Sequence, residues 1–379
     1  MQHSKEDSRA LYIMIGGFLG AGKTTAVAKL AAFLTKKGKR VGLITNDQAG
    51  NLVDTRMLKS HGFSTEEIAG GCFCCKFNSL MEAADRLSTS VRPDIFIAEP
   101  VGSCTDLVAT VSYPLRRIYG DRFVISPLSV VLDPVRAMSI LGLDQGKTFS
   151  AKVVYIYLKQ LEEADILVIN KSDVISEEQR RLLGDELIRR FPRAKIFVVS
   201  SRTGDGLEAW FTYLLTKTQS HSETMEVDYQ VYAEGEALLG WLNCTVEVKS
   251  LAGSGDGNEL LQGLGTALHA ELAKHEVEVA HLKMTLAAEE ALTDTAVVNL
   301  VRSNFQPEIS QRLEDPISCG EIIVNLRAEA DPQQLKQIVE QIFSVWNNEL
   351  WQMEVTHLEH FRPGKPVPTH RIQEPPPFS

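Results

Sequence analysis

The first 220 residues alternate short apolar runs with longer stretches in which apolar residues recur at helical spacing. Strands buried on both faces of a parallel sheet are apolar throughout, and each needs a crossover helix to reach its neighbour. The pattern therefore predicts an α/β fold with a parallel sheet. The predicted strands cover residues 11–15, 40–45, 94–98, 124–132, 165–169 and 195–199, and the predicted helices include 23–37, 75–89, 176–190 and 206–217.

A polar stretch over residues 216–226 interrupts this rhythm and predicts a linker. Beyond it, Asp331 and Pro332 provide an N-cap oxygen and a first-turn proline for a helix that ends near Asn347. The order of elements predicts a small α+β sandwich of ferredoxin type. Its other elements are a helix over 258–275 and strands over 244–249, 278–287, 296–302, 321–328 and 351–361. The predicted domains are 1–220 and 221–362, followed by an extended proline-rich tail over 363–379.

The charge is distributed unevenly between these two domains. Residues 1–220 contain 29 lysines and arginines against 24 acidic residues, whereas residues 221–379 contain 10 against 25. An acidic surface repels a phosphate backbone, so we expect no nucleic-acid partner. The acidic half is either simply well solvated or suited to a basic partner or a cation.

Composition and cysteine spacing indicate a globular protein of the cytoplasm. The chain has 379 residues, of which 44% are hydrophobic and 23% charged, which excludes disordered and collagen-like proteins. Glycines interrupt the apolar run 11–21, and no uninterrupted apolar run reaches the roughly 18 residues that a membrane span requires. The six cysteines do not have the spacing of a disulfide framework. We therefore expect neither export nor membrane insertion.

A phosphate-binding loop lies between the first predicted strand and the first predicted helix. The segment Gly17-Phe18-Leu19-Gly20-Ala21-Gly22-Lys23-Thr24 fits the pattern of the P-loop NTPases. Its glycines allow backbone N–H groups to close on phosphate oxygens, Lys23 reaches the β and γ phosphates as a catalytic cation, and the Thr24 hydroxyl coordinates Mg²⁺. The predicted nucleotide contacts here are Gly17, Gly20, Ala21, Gly22, Lys23, Thr24 and Thr25.

Two acidic residues follow neighbouring strands at the same edge of the predicted sheet. Glu99 ends the strand 94–98 and can hold a water bound to Mg²⁺ or orient the attacking water, so it is a catalytic and metal-site candidate. Asp47 follows the strand 40–45 and is a candidate for the same two roles. Gly102 offers a backbone N–H to the γ phosphate. Either acid could instead be an ordinary helix-capping carboxylate, and Asp54 and Asp133 are reserve candidates.

The segment Asn170-Lys171-Ser172-Asp173 predicts selection of guanine. It follows the strand 165–169, at the ligand-binding edge of such a sheet. A carboxylate at Asp173 can accept hydrogen bonds from N1–H and the exocyclic amine of guanine, which adenine does not offer. Backbone N–H groups of Ser200 and Ser201 can contact the guanine carbonyl. The sequence therefore favours GTP over ATP and disfavours an ATP-using small-molecule kinase.

Three cysteines fall within four positions, at Cys72, Cys74 and Cys75. Such a group can present several sulfurs to one soft or borderline cation such as Zn²⁺. Three ligands leave tetrahedral zinc one open position, which suits a site that releases its metal, and Cys104 is a candidate fourth ligand. The alternative is that these cysteines are buried and pack as small hydrophobic residues.

Together these motifs resemble the CobW-type GTPases, the cobalamin-synthesis and zinc-metallochaperone group. The resemblance rests on Gly-Gly-Phe-Leu-Gly-Ala-Gly-Lys-Thr-Thr (16–25), Gly-Cys-x-Cys-Cys (71–75), Glu-x-x-Gly (99–102) and Asn-Lys-x-Asp (170–173), and it covers roughly residues 11–215. It implies hydrolysis of GTP to GDP coupled to handling of Zn²⁺ or Co²⁺, with the cysteine triplet as metal ligands. It also implies relatives among the nickel-insertion GTPases.

Two functions are compatible with these residues. In the first, a metallochaperone uses GTP and Mg²⁺ to control delivery of its ion to a client metalloenzyme or corrinoid-dependent protein. In the second, a GTP-gated docking module activates such an enzyme and its cysteines are structural. A nucleotide-dependent homodimer is a further expectation.

Overall fold

The computed structural model describes residues 9–47, 58, 62–145, 148–219, 224–289, 294–303 and 305–374. The chain divides into two compact units. The first comprises Met1–Gly50, Asp54–Ala233 and Pro366–Ser379, and the second comprises Asn51–Val53 and Glu234–Lys365. The described C-terminal residues 366–374 therefore belong to the first unit.

A parallel sheet forms the centre of the first unit. Its strands are β1 (Ala10–Gly16), β2 (Val41–Asp47), β3 (Ser64–Ala69), β4 (Ile95–Glu99), β5 (Phe123–Ile125), β6 (Ser129–Leu132), β7 (Ile166–Ile169) and β8 (Lys195–Val198). In the described parts of the chain their order is β3-β2-β4-β1-β6-β7-β8, and β5 pairs with β1. Every residue of β4, β6 and β7 is buried, as the continuous apolar runs predict.

Helices connect these strands. They are α1 (Lys23–Lys36), α2 (Phe77–Ser90), α3 (Tyr113–Tyr119), α4 (Pro134–Ile140), α5 (Ala151–Glu163), α6 (Glu177–Arg190), α7 (Leu207–Thr216) and α8 (Tyr229–Leu238), with a π turn at Val108–Ser112 and a 3₁₀ turn at Ser172–Val174. A capping box fixes the start of α6, where Ser176 and Gln179 bond reciprocally. The α/β expectation with a parallel sheet is confirmed.

Several elements differ in extent from the sequence prediction, and three differences in the first unit have a clear physical reason. The run 124–132 forms two strands instead of one, because Pro127 lacks the N–H needed to continue the ladder. The apolar pattern does not predict β3, a largely polar strand that pairs with β2 at the edge of the sheet. Helix α2 begins at Phe77 rather than residue 75, because the N–H groups of Cys75 and Lys76 donate to the carbonyl of Cys72 and close a turn there.

An antiparallel sheet with two long helices forms the second unit. Its elements are β9 (Leu239–Ser250), α9 (Gly257–Lys274), β10 (Glu278–Ala288), β11 (Thr295–Leu300), β12 (Glu308–Gln311), β13 (Cys319–Glu329), α10 (Pro332–Trp346) and β14 (Trp351–Phe361). The described strands lie in the order β12-β11-β10-β13-β9-β14. The predicted cap of α10 is confirmed, since the Asp331 side chain accepts from the N–H of Gln333 at 2.8 Å. The ferredoxin-type arrangement stays a prediction.

Leucines of α9 supply much of the apolar core of this second unit. Leu260, Leu264 and Leu268 recur at helical spacing and are buried together with residues of β10 and β13. Among the described residues, no helix is both long enough and apolar enough to cross a bilayer.

Candidate functional site

The loop between β1 and α1, the predicted phosphate loop, contains two glycines with positive φ angles. Gly17 has φ +130°, and a Cβ there would lie 2.1 Å from the carbonyl oxygen of Val131. Gly22 has φ +92°, and its Cβ would lie 2.5 Å from Nδ2 of Asn170. Both positions therefore require glycine, for conformation and for space.

Lys23 and Thr24 begin α1 at the end of this loop. The Lys23 ammonium group arches back over the loop and donates to the carbonyl of Phe18 at 3.3 Å. The Thr24 hydroxyl donates to Oε1 of Glu99 at 2.9 Å, and both residues are buried. The structure thus brings together two residues predicted to serve the Mg²⁺ site. Their oxygen donors are the kind that Mg²⁺ prefers, so the pair fits that ion.

The Asn-Lys-x-Asp motif, which is predicted to recognise guanine, is bonded directly to the phosphate loop. Nδ2 of Asn170 donates to the carbonyl of Ala21 at 2.9 Å. The Lys171 ammonium donates to the carbonyl of Gly20 at 2.7 Å and pairs with Asp133 at 2.9 Å. Burial opposes ionisation of Asp133, but Lys171 and a backbone hydrogen bond outweigh it and lower the pKa of that carboxyl. Asp133, a reserve candidate for the metal site, instead positions Lys171 and caps α4.

Asp173 is held in place by the loop after β8. The Ser200 hydroxyl donates to Oδ1 of Asp173 at 2.6 Å, and the Ser201 N–H donates to Oδ1 of Asn170 at 2.9 Å. The Ser200 N–H donates to the carbonyl of Asp205. The backbone N–H groups expected to face guanine are therefore engaged within the protein. In this structure the two serines position Asp173 and Asn170, and their direct contact with guanine stays a prediction.

The remaining predicted nucleotide residues lie at the same edge. Thr25 is exposed in the first turn of α1. A Cβ on Gly102 would lie 2.8 Å from the Leu19 side chain, so the segment after Glu99 packs against the phosphate loop. Asp47 is the last residue of β2, where it pairs with Ala69, but its side chain and all of Asp54 lie outside the described residues.

The cysteine motif forms a compact turn between β3 and α2. The sulfur of Cys72 lies 2.8 Å from that of Cys74 and 3.2 Å from that of Cys75, while those of Cys74 and Cys75 lie 3.7 Å apart. Cys72 and Cys74 are buried and Cys75 is partly exposed. The three sulfurs fit within 4.8 Å of one another, close enough to bind one metal ion together.

Cys104 joins this cluster from the segment that follows Glu99. Its sulfur is not one of the three that lie within 4.8 Å of one another, but its thiol, together with those of Cys74 and Cys75, lowers the pKa of Cys72 well below the usual range. The hydrogen bond between Cys75 and Cys72, with smaller effects from burial and from the charge of Cys72, raises the pKa of Cys75 to about 11. The thiolate form is the one that binds metal.

Side chains at two further positions fix the segments around the cysteines. Nδ2 of Asn46 donates to the carbonyl of Ile68 at 2.9 Å and to that of Gly71 at 2.6 Å, which ties β2 to the cysteine turn. Gln160 of α5 donates to the carbonyls of Gly102 and Cys104 at 2.9 and 2.8 Å. Sequence reasoning assigned neither role, because a lone amide side chain carries no motif.

A buried carboxyl supports the next part of the same segment. Glu163 accepts hydrogen bonds from the Thr105 hydroxyl and the Val108 N–H, each at 3.2 Å. Burial, with a smaller effect from the charge of Asp106, raises the pKa of Glu163 well above its ordinary value. Asp106 is itself buried and adopts a left-handed φ of +63°.

The C-terminal segment packs on the cysteine motif. The N–H of Val367 donates to the sulfur of Cys75 at 3.2 Å, and the N–H of Thr369 donates to the carbonyl of Cys74 at 2.8 Å. The sequence predicted only an extended tail here. Its prolines gave no signal for where the segment would bind.

Part of this chain is similar to known proteins. Residues 11–198 match the profile of the CobW/HypB/UreG nucleotide-binding domain. The chain is 29% identical over 228 residues to the zinc chaperone CobW of Sinorhizobium sp., covering 55% of this chain and 63% of that protein. It is 30% identical over 173 residues to the zinc chaperone YeiR of Escherichia coli (strain K12), covering 45% and 49%. The chain thus spans about half to two thirds of the length of these curated relatives.

A solved structure of HypB from Helicobacter pylori in complex with nickel is also similar. It shows 22% identity and a TM-score of 0.43 over 57% of this chain and 92% of that chain. Residues 11–198 match the family profile, and within them the Asn-Lys-x-Asp motif is bonded to the phosphate loop. The first unit of this chain therefore belongs to the CobW-type P-loop GTPases of the CobW/HypB/UreG family.

Proposed function

We propose that this chain is a GTP-hydrolysing metallochaperone, which couples GTP binding and hydrolysis to the binding and delivery of Zn²⁺ or Co²⁺. One observation carries the proposal. Glu99, which accepts from Thr24 of the phosphate loop, and Cys104, whose thiol lowers the pKa of Cys72, lie on one short segment. Only four residues separate Glu99 from Cys104, so a change in nucleotide state at Glu99 could reach the sulfur cluster along this segment.

The nucleotide half of this function uses groups already held in place. The phosphate-loop N–H groups and Lys23 would bind the β and γ phosphates, and Asp173 would read guanine. Mg²⁺ held near Thr24 and Glu99 would offset phosphate charge. Glu99, and Asp47 as a second candidate, would orient a water whose oxygen attacks the γ phosphorus. The bond from that phosphorus to the β–γ bridging oxygen breaks, giving GDP and phosphate.

In the metal-binding part of this function, the cysteine cluster would hold the ion that is to be delivered. Cys72, Cys74 and Cys75 supply three sulfurs, and Cys104 is the candidate for the fourth position of a tetrahedral site. Cobalt-loaded protein offers a direct test, since each Co–S bond adds charge-transfer absorption. Cys104→Ser should lower that absorption by one sulfur's share. Equal spectra for Cys104→Ser and the parent protein would leave a three-sulfur site.

Coupling between the two halves has a thermodynamic signature. If GTP changes zinc affinity by some factor, zinc must change GTP affinity by the same factor. Zinc titrations under reducing conditions, with GDP and with a non-hydrolysable GTP analogue, should give dissociation constants that differ at least about fivefold. In the reverse titration each nucleotide is added to zinc-loaded and to metal-free protein, and the zinc-induced change in affinity for the GTP analogue, divided by that for GDP, should equal the same ratio. Identical zinc affinity in both nucleotide states would refute the proposal.

Burial of the thiols supports a second candidate function. Cys72 and Cys74 are only 3% and 1% exposed, as structural cysteines would be. In that case the protein is a GTP-gated docking module that activates a metal- or corrinoid-dependent enzyme. Cys74→Ser separates the two candidates: the docking module retains client activation, whereas the chaperone loses it.

The remaining expectations follow from these two functions. We infer a client metalloenzyme or corrinoid-dependent protein as partner, a cytoplasmic location and a nucleotide-dependent homodimer. We also infer that the acidic second unit is ferredoxin-like with an insertion. Its strands β10, β13, β9 and β14 are adjacent in that order, and α9 and α10 follow β9 and β13 along the chain.

A further inference from the structure

We call the C-terminal segment over residues 366–374 the strap. It makes three hydrogen bonds to two consecutive cysteines. Two are the Val367 N–H to the Cys75 sulfur and the Thr369 N–H to the Cys74 carbonyl. In the third, the Thr369 hydroxyl donates to the carbonyl of Cys75 at 3.1 Å. Val367 as a whole is 68% exposed, and its contact with Cys75 is made by its backbone N–H.

The sequence of the strap prepares its backbone for these bonds. Pro366 and Pro368 flank Val367, and a residue before proline is confined to extended conformations. The prolines have no N–H, so the donors at Val367 and Thr369 recur at every second residue. An extended strap therefore binds with little loss of conformational freedom.

A buried ion pair fastens the other end of the strap. Nε of Arg371 donates to Oδ2 of Asp106 at 2.7 Å, and the Tyr229 hydroxyl donates to the same oxygen at 2.7 Å. The Ile372 N–H donates to the carbonyl of Ala109 at 2.9 Å. A charge-assisted bond to a carboxylate that is 1% exposed is stronger than an exposed ion pair.

The strap thus connects two segments that the proposed function links. Its first half binds the cysteine turn, and its second half binds Asp106, two residues beyond Cys104. The segment from Glu99 to Asp106 begins at the phosphate loop. A movement of that segment on loss of the γ phosphate would also move the fastening point of the strap.

We propose that the strap is the gate of the cysteine site: closed, it retains the ion, and transfer to an acceptor requires it to detach from Cys74 and Cys75. This proposal rests on the proposed metal-binding function. An N–H donor to a ligating sulfur stabilises the thiolate and fixes its direction. The closed strap also covers part of Cys75, the cluster thiol that is least buried.

The test uses a backbone change that preserves the shape of the strap. Val367→Pro in the full chain removes the N–H donor while keeping an extended backbone, and Val367→Ala is the matched control because it retains that donor. Arg371→Gln opens the other end. The measurement is the rate at which zinc-loaded protein transfers its ion to a chromophoric chelator. Val367→Pro should transfer zinc about tenfold faster than Val367→Ala, as expected for loss of a hydrogen bond to a charged group.

Alkylation of Cys75 in the metal-free protein gives an independent measure. Iodoacetamide should modify this thiol faster in Val367→Pro and Arg371→Gln than in Val367→Ala. If all variants bind zinc and transfer it at equal rates, the proposal that the strap is a gate is wrong. The proposed metallochaperone function would not be affected by that result. If the parent protein binds no zinc through these cysteines, both the gate and the metallochaperone proposals fail. Thermal unfolding of each variant is the control that shows it is folded.

Discussion

The hydroxyl of Thr24 lies 2.9 Å from Oε1 of Glu99, which joins the first helix to the end of the central strand β4. The two residues are 75 positions apart in the chain. Their contact places the predicted magnesium-binding hydroxyl and the predicted catalytic carboxylate on one side of the phosphate loop.

Replacing Glu99 with Gln tests this arrangement. The amide oxygen still accepts from Thr24, but the negative charge is lost. We expect single-turnover phosphate release to slow about 100-fold or more, as for loss of a group that orients the attacking water. Glu162→Gln, an exposed change on α5, is the matched control. A rate within twofold of the parent protein would exclude Glu99 from catalysis.

Asp173→Asn should change which base is bound. The amide cannot accept both hydrogen bonds from guanine, and its NH₂ group suits the extra carbonyl of xanthine. We expect GTP to bind about 10- to 100-fold more weakly and the xanthine nucleotide to gain affinity. Competition for a fluorescent guanine nucleotide measures both effects. Asp185→Asn, on the exposed face of α6, controls for loss of charge, and unchanged preference would contradict guanine reading by Asp173.

Two glycine-to-alanine changes should have opposite effects on stability. In Gly17→Ala the new methyl group meets the Val131 carbonyl at 2.1 Å, so we expect a large fall in the melting temperature and loss of nucleotide binding. Gly184 lies within α6 with open space around it. Gly184→Ala should therefore raise the free energy of unfolding by about 0.5–1 kcal/mol. Chemical denaturation of both proteins checks the difference, and equal effects would contradict it.

Glu163→Gln should remove a pH dependence of stability. The pKa of Glu163 is raised on folding, so its contribution is complete below its ordinary value of 4.5 and is lost as pH rises toward the folded value. Each unit of that rise amounts to about 1.4 kcal/mol. The melting temperature of Glu163→Gln minus that of the parent protein should therefore grow with pH above 4.5. The neighbouring groups Asp106, Arg371 and Tyr229 are the same in both proteins, so their own titration cancels in this difference. A difference in melting temperature that does not change with pH would contradict burial as the cause of the raised pKa of Glu163.

The sequence was sufficient to predict the parallel sheet and to locate the local motifs. Apolar runs identified β1, β4 and β7, because such runs depend on neighbours along the chain. The glycine and Asn-Lys-x-Asp spacings pointed to two segments that the structure joins by hydrogen bonds, and their role in nucleotide binding stays a prediction. The pattern did not contain β3, a polar edge strand whose stability comes from pairing with β2.

Contacts between distant residues could not be predicted in the same way. Asn46 bonds to Gly71, Lys171 bonds to Gly20, and Val367 bonds to Cys75 across 292 positions. Each of these bonds uses one ordinary side chain or backbone N–H, and the partner becomes known only once the chain has folded. For Cys104 the sequence did offer a signal, because this cysteine lies two residues beyond Gly102. In the structure its thiol affects the pKa of Cys72 and of Cys74.

The two hydrogen bonds of Asn46 also bear on how quickly an ion could be captured. Because one amide anchors the carbonyls of Ile68 and Gly71, the turn that follows is tied to the strand β2 in the folded protein. An arriving cation would find its sulfurs assembled and would need to shed water rather than organise the chain. Discrimination among cations would then depend on the rigidity of this edge and on how readily each ion gives up its hydration shell.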